Sequence, residues 1–414
     1  MNKDKIPQGY KNSPLGIIPE DWEVKRLRDC CIGKGKYGIN APAIEYSDSL
    51  PTYLRITDID DEGKFISHNK KSVRNSNTNN YFLEKGDVVF ARTGATVGKT
   101  YLHDEKDGNL VFAGFLIRFK PDEKMILPYF LKLFTTTHMY WDWVKTISAR
   151  SGQPGINAEE YGSLRICIPP LSEQHKIAEI LICWDEAIEK QTQLIEKLEI
   201  RKKGLMQKLL TGKAENWEEV RLDDLFERVT RKNTERNPNV VTISAQRGFV
   251  KQTDFFNKSI ASEITDNYFL VKRGEFCYNK SYSNGYPWGA TKRLKDFEKA
   301  VVTTLYICFT IKDKYKISGD FFEYFFDANK LDSGLTQIAH EGGRAHGLLN
   351  VTPSDFFSLK MNIPNLSEQN RIATILQIAD KEINLLKTKV EKLREQKKGL
   401  MQQLLTGKLR VEIK

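Results

Sequence analysis

From Ser172 onward, the residues Ile177, Leu181, Trp184, Ile188, Gln191, Ile195, Leu198, Lys202, Leu205 and Leu209 step by alternating fours and threes, almost all of them apolar. This spacing predicts a long helix with a heptad seam. A second stripe, Ile372, Leu376, Ala379, Ile383, Leu386, Val390, Leu393, Lys397, Leu400 and Leu404, repeats the pattern and is apolar at nine of its ten positions. Ser172 and Ser367 are the expected N-caps, with Glu173 and Glu368 favourably placed against the helix dipoles, and Gly212 and Gly407 are the expected stops. A helix of this length, about 54 Å at 1.5 Å per residue, needs a partner for its seam. The other copy is the nearest, and antiparallel packing would put the flanking domains at opposite ends of a rod. Gly204 and Gly399 interrupt the seams. Each implies either close approach by another backbone or a break into a shorter second segment.

Outside these stripes the period changes from 3.6 to 2. The stretches at 53–57, 87–91, 110–119, 240–244, 275–279 and 301–311 are rich in β-branched and aromatic residues and bounded by Gly, Asn, Asp and Lys, which predicts strands. Helical stretches near 127–136 and 320–331 complete an α+β domain of roughly 150 residues, present twice. The two copies are related by a fixed offset. Ile168–Lys213 aligns without a gap to Ile363–Lys408, with 26 of 46 positions identical. Trp22, Arg26, Leu27 and Asp29 likewise map onto Trp217, Arg221, Leu222 and Asp224. Between such anchors similarity is weak. The expected organisation is an N-terminal arm (1–20), a first variable domain (21–170), a helix (171–212), a second variable domain (213–362) and a C-terminal helix (363–414). The fold class is α+β with two long antiparallel helices and a pseudo-twofold internal repeat.

Length and composition narrow the function classes. A chain of 414 residues with 40% hydrophobic and 11% aromatic content is neither disordered nor a small stapled module. The six cysteines, at 30, 31, 167, 183, 277 and 308, form no C-x-x-C pair and fit reduced cytoplasmic thiols. No apolar signal core opens the sequence and no run reaches a membrane span, so the expectation is a soluble cytoplasmic protein without a membrane partner. The net charge of +10 suits nucleic acid, but half of it lies in 363–414, while each variable domain carries only +2. The charge alone therefore does not make the case for DNA.

Enzymatic motifs are missing. Gly94 and Gly98 bracket three residues where a phosphate loop needs four before its Gly-Lys pair, and no amphipathic helix follows Thr100. His340-Glu341 lacks the second histidine of a zinc site, since Arg344 stands there. No catalytic, cofactor or metal residue is assigned. What remains are loops that mix base-reading side chains with glycine: Arg92, Thr93, Gly94 and Lys99; Arg150, Ser151 and Gln153; and Arg344 and His346, with Asn279, Lys280, Ser281 and Tyr282 as a counterpart of the Arg92 turn. Arg and Gln suit bidentate bonds to base edges, and glycine admits close backbone approach. Each loop taken alone is equally readable as a polar surface turn.

The sequence resembles the specificity subunit of type I restriction-modification systems. The resemblance rests on Pro169-Pro170-Leu171-Ser172-Glu173-Gln174 and Ile363-Pro364-Asn365-Leu366-Ser367-Glu368-Gln369 opening the helices, the paired Lys-Lys-Gly-Leu-Met-Gln segments closing them, and Gly86 to Gly94 in the first domain. It implies two target recognition domains, each reading half of an asymmetric bipartite duplex DNA target, with the helices as spacer and docking surface. It implies further partners: two modification subunits using S-adenosylmethionine, and two restriction subunits using ATP and magnesium. Asn279-Lys280-Ser281 departs from the family's Arg-Thr-Gly turn. The competing expectation is a coiled-coil scaffold whose variable domains bind proteins.

Overall fold

The computed structural model describes residues 6–149, 154–211, 217–252, 265–341 and 349–413. Its contacts divide the chain into two units, Met1–Gln191 with Lys389–Lys414, and Thr192–Thr388. Two long helices, the central helix Leu171–Leu209 and the C-terminal helix Leu366–Leu405, each contribute one part to each unit.

In the first unit a four-stranded antiparallel sheet runs in the order Lys36–Tyr37, Leu116–Phe119, Val88–Ala91, Thr100–Leu102. A second sheet pairs Leu110–Phe112 in parallel with Thr52–Leu54, followed by Lys71–Ser72 and Ile44–Glu45. The apolar run 110–119 is thus two strands in two sheets, divided by a turn at Gly114 and Phe115. A further pair, Glu23–Arg26 with Arg165–Ile168, leads into the central helix. The core gathers Trp22, Phe90, Phe119, Phe130, Phe134, Tyr140 and Tyr161 with Ile177, Leu181, Leu404 and Leu405 of the long helices.

The second unit repeats this plan. Phe226–Arg228, Ile307–Ile311, Phe276–Asn279 and Ala290–Arg293 form an antiparallel sheet of the same strand order. Glu218–Arg221 pairs with Lys360–Ile363, and Arg221 faces Lys360 as Arg26 faces Arg165, 195 residues earlier. The run 301–311 is again split between two sheets, with Lys299–Val302 pairing Phe269–Lys272. Eight buried phenylalanines, among them Phe226, Phe276, Phe309, Phe322 and Phe326, fill the core, four of them contributed by helix Gly319–Asp327.

Of the seam residues, Ile177, Leu181, Ile195, Ile372, Leu376, Ile383 and Val390 are buried, and Trp184, Ile188, Leu198, Leu386 and Leu393 are half-buried. Within each unit the two helix segments run antiparallel: Asp185 meets Lys397 in the first, and Lys202 meets Asp380 in the second. Three local expectations are corrected. The helices begin one residue before Ser172 and Ser367; at the second, the Asn365 side chain accepts from the Glu368 amide at 3.0 Å and is the cap. Asparagine caps a helix as well as serine does. Neither helix breaks at Gly204 or Gly399. A Cβ at either would meet nothing within 4 Å, so no backbone approaches them closely. Gly407 does end the C-terminal helix at φ +71°, whereas Gly212 lies outside the described residues.

Candidate nucleic-acid interface

The end of the four-stranded sheet where Val88–Ala91 terminates collects the first group of candidates. Leaving the strand, the Arg92 amide donates to Phe115 O at 3.0 Å, and Arg92 O accepts from Ile156 N at 2.9 Å. Thr93 bridges Gly155, and Gly94, at φ +70°, donates its amide to Pro154 O. The loop is thereby held from both sides by main-chain bonds. Its glycines are structural: at Gly98, φ +90°, a Cβ would meet Val144 at 2.7 Å. The short 3-10 turn Gly94–Thr96 leads to a strand and not to a helix, in keeping with the rejection of a phosphate loop.

The Arg92 guanidinium lies over the Tyr37 ring, 4.9 Å from its centroid, while the Tyr37 hydroxyl accepts from the Ala158 amide at 3.0 Å. Stacking on an anchored ring restrains a side chain that would otherwise lose much rotamer freedom on binding. Its Nε is buried and has no hydrogen-bond partner among the described residues. Lys99 is differently engaged, in an ion pair with Asp61 at 2.6 Å.

In the second unit the chain leaves the equivalent strand at Asn279, whose side chain accepts from the Ser281 amide at 3.1 Å. Lys280 O accepts from Leu349 N, as Arg92 O does from Ile156. The Lys280 ammonium points to Val351 O at 3.4 Å, and burial lowers its pKa below the usual lysine value. Among the described residues it stacks on no ring; Tyr282 beside it is exposed. The two turns share a place in the topology and differ in chemistry. Arg150, Ser151, Gln153, Arg344 and His346 lie outside the described residues.

Sequence reasoning missed the groups that join the helices to these sheets. The Gln174 side chain accepts from Leu127 N and donates to Met125 O and Pro169 O, each at 2.9 Å. Gln369 accepts from Ser318 N at 2.9 Å and donates to Pro364 O at 2.8 Å. Both glutamines are buried. About three turns further along each helix, Tyr129 donates to Asp185 Oδ2 at 2.8 Å while Lys397 pairs with the other oxygen; in the second unit Tyr324 donates to Asp380 Oδ2 at 2.7 Å and Lys202 takes the other. Burial, reinforced by the carboxylates, raises both phenols far above their usual range, so they remain donors. All three members obey the 195-residue offset, and the polar residues Lys202 and Lys397 within apolar seams were the signal that would have found them. Tyr37, 55 positions before Arg92, gave no such signal.

Among the described residues no group of three or more His, Cys, Asp or Glu side chains is placed to hold a metal ion, and no helix is long and apolar enough to cross a membrane.

The sequence model of the family described as type I restriction modification DNA specificity domain matches residues 19–200 and again 214–395. The putative type I restriction enzyme MjaX specificity subunit of Methanocaldococcus jannaschii is 27% identical over 98% of this chain and 97% of its own length. The MjaVIII specificity subunit of the same organism is 24% identical over 95% and 94%. Among solved structures, a chain from a study of complex assembly and conformational transition of the type I R-M system aligns over 95% of this chain and 99% of its own, with TM-score 0.56 and 14% identity. The type I restriction-modification S subunit from M. genitalium aligns over 97% and 98%, with TM-score 0.51 and 13% identity. These structural likenesses show a shared fold.

Proposed function

The chain belongs to the type I restriction-modification DNA specificity family, and from that premise we propose that it is the sequence-reading subunit of such a system, each unit recognising one half of an asymmetric duplex DNA target. The observation that carries this reading is the contrast within the repeat. Both units place a polar turn at the same end of a sheet of the same strand order, yet one presents Arg92 stacked on Tyr37 and the other presents Asn279, Lys280 and an exposed Tyr282. A surface serving one function in both copies has reason to stay alike, as the helices do; surfaces reading different half-sites have reason to diverge. Arg92 suits a guanine edge or a phosphate, and the restrained loop positions it at small entropic cost.

In this reading the helix length sets the number of unread base pairs between half-sites, and the similar helix faces dock two modification subunits. Methylation from S-adenosylmethionine, and cleavage driven by ATP and magnesium, belong to the modification and restriction subunits; this chain reads and holds. The site of action is the cytoplasm, where the DNA is.

The direct test is to map methylated bases genome-wide in cells with and without this chain. A bipartite motif that disappears with the chain supports the reading, and an unchanged map overturns it. Arg92→Ala is expected to weaken target binding by about 1–3 kcal/mol with little change in stability, measured by titration of the target duplex. Under the scaffold alternative, duplex binding would show neither target preference nor steep salt dependence.

A further inference from the structure

Two exposed apolar side chains occupy one position of the repeated plan. In the first unit a four-residue turn, closed by Leu116 N donating to Ala113 O at 2.9 Å, carries Phe115 at its third position; in the second, Tyr306 N donates to Thr303 O at 3.3 Å and Leu305 is third. Phe115 is 56% exposed and Leu305 54%, although the turn-closing residues around them, Ala113, Leu116 and Tyr306, are buried. Each turn passes the chain from one sheet to the next, from Leu110–Phe112 to Leu116–Phe119 and from Lys299–Val302 to Ile307–Ile311.

The strand register places both beside the candidate cations. Ile117 faces Phe90 and Leu116 faces Ala91, so the next pair outward is Phe115 with Arg92, tied by the 3.0 Å bond from Arg92 N to Phe115 O. Cys308 faces Cys277 and Ile307 faces Tyr278, the last pair of that ladder; the same register continued two pairs outward would set Leu305 opposite Lys280. A single exposed apolar residue is unremarkable on any protein surface. Two at one topological position, each on a turn pinned by main-chain bonds and each beside a cation, are a different matter. The turns keep their place while the side chain changes from phenylalanine to leucine, whereas the helices keep their side chains.

We propose that Phe115 and Leu305 are specificity-determining residues, each making an apolar contact with a base of the half-site read by its own unit while the neighbouring Arg92 or Lys280 engages a phosphate or polar base edge. Thymine, whose 5-methyl group is the apolar feature of the major groove, is the base that fits such a tip. The inference rests on the DNA-reading function proposed above.

The test uses the full chain with its modification subunits, titrated with the mapped target duplex and with a random duplex at several salt concentrations. Phe115→Ala is expected to lose roughly 10- to 100-fold in target affinity. It keeps the random-duplex affinity, the salt slope and the melting temperature of the parent, because no phosphate contact and no core packing is removed. Its preference relaxes in one half-site; Leu305→Ala relaxes the other. Replacing the affected thymine by uracil weakens the parent and leaves the alanine variant indifferent, and Phe115→Leu keeps most of the affinity. Variants that bind the target as the parent does, or that weaken target and random duplex alike, overturn the proposal. Were Arg92→Ala still to lose target affinity in that event, DNA reading would stand without the apolar tips. A parent with no preference for target over random duplex would instead remove the function on which they rest.

Discussion

The two units solve one contact in opposite ways. Lys132, on helix Pro128–Phe134 of the first unit, donates to Thr100 O at 2.6 Å across to the sheet, packed against the backbone of Gly63; among the described residues no carboxylate forms an ion pair with it, and Asp60 favours its charge only from a distance. In the second unit, 195 residues on, Asp327 stands at the end of the corresponding helix and Lys292 on the sheet pairs with it. Burial pushes Lys132 down to about 8. Burial also opposes the charge on Lys292, but Asp327 and the Tyr286 hydroxyl outweigh it and raise the pKa. The helix joints, by contrast, are closely alike: the Tyr–Asp–Lys groups recur, and each buried glutamine accepts from one main-chain amide and donates to the carbonyl of the proline ahead of its helix. The duplicated chain has kept what seats its helices and varied the interior of its recognition domains, down to the polarity of buried charges.

Breaking the comparison is easiest where the two helix starts differ. Glu173 is fully buried, accepting from Trp22 Nε1 at 2.9 Å and from Arg410, which also clasps Asp21. Its counterpart Glu368 is half-exposed and pairs with Arg371 one turn on. Arg410→Ala should cost about 2–3 kcal/mol in urea unfolding, because it strands a buried carboxylate. Arg371→Ala should cost under about 0.5 kcal/mol, as exposed pairs on helices do.

Lys132 comes next. Its folded pKa of about 8 lies below the ordinary 10.5, so between these values the unfolded chain holds a proton that the folded chain has released. Stability therefore rises with pH across that window, and below about 8 the folded state carries the whole penalty of a buried charge. Urea midpoints followed from pH 7 to 10 should show this rise, and Lys132→Met should flatten it while adding about 2 kcal/mol or less at pH 7. Lys292→Met should have the opposite sign at pH 7, since it leaves Asp327 unpaired.

Equal effects sharpen the shared half of the comparison. Asp185→Asn and Asp380→Asn should each cost about 1–2 kcal/mol, alike within a few tenths, because each keeps the tyrosine bond and loses the lysine pair. The smallest expected change is a gain: Gly204→Ala and Gly399→Ala, both in open space within continuous helix, should each stabilise by up to about 1 kcal/mol in thermal unfolding.

Much of this was legible in the sequence because it is periodic or repeated. The heptad stripes became two continuous helices and most β-rich runs became strands, but the run 53–57 is extended only to Leu54 before the 3-10 turn Ile56–Asp58, and those at 110–119 and 301–311 are each divided by a turn that the unbroken apolar pattern concealed. Ser172 and Ser367 drew attention as caps although the helices start one residue sooner, since leucine after proline or asparagine carries no marker of its own. The candidate site was legible only in part. Arg92 stands in a conspicuous turn, but the ring beneath it and the Phe115 turn beside it come from other strands, and no spacing along the chain encodes a cross-sheet neighbour. Phe115 and Leu305 sit within strongly apolar runs, where nothing in the pattern separates an exposed position from a buried one.

The buried glutamines have one more implication. Among the described residues Gln174 and Gln369 bond only main-chain groups: the amides of Leu127 and Ser318 and the carbonyl of Met125 in the recognition domains, and the carbonyls of Pro169 and Pro364 just ahead of the helices. Every non-proline residue offers the same amide and every residue the same carbonyl. A bond of this kind constrains the backbone path of the domain it meets and not its residues; the part of the joint that does depend on a side chain is carried by Tyr129 and Tyr324, which donate to Asp185 and Asp380.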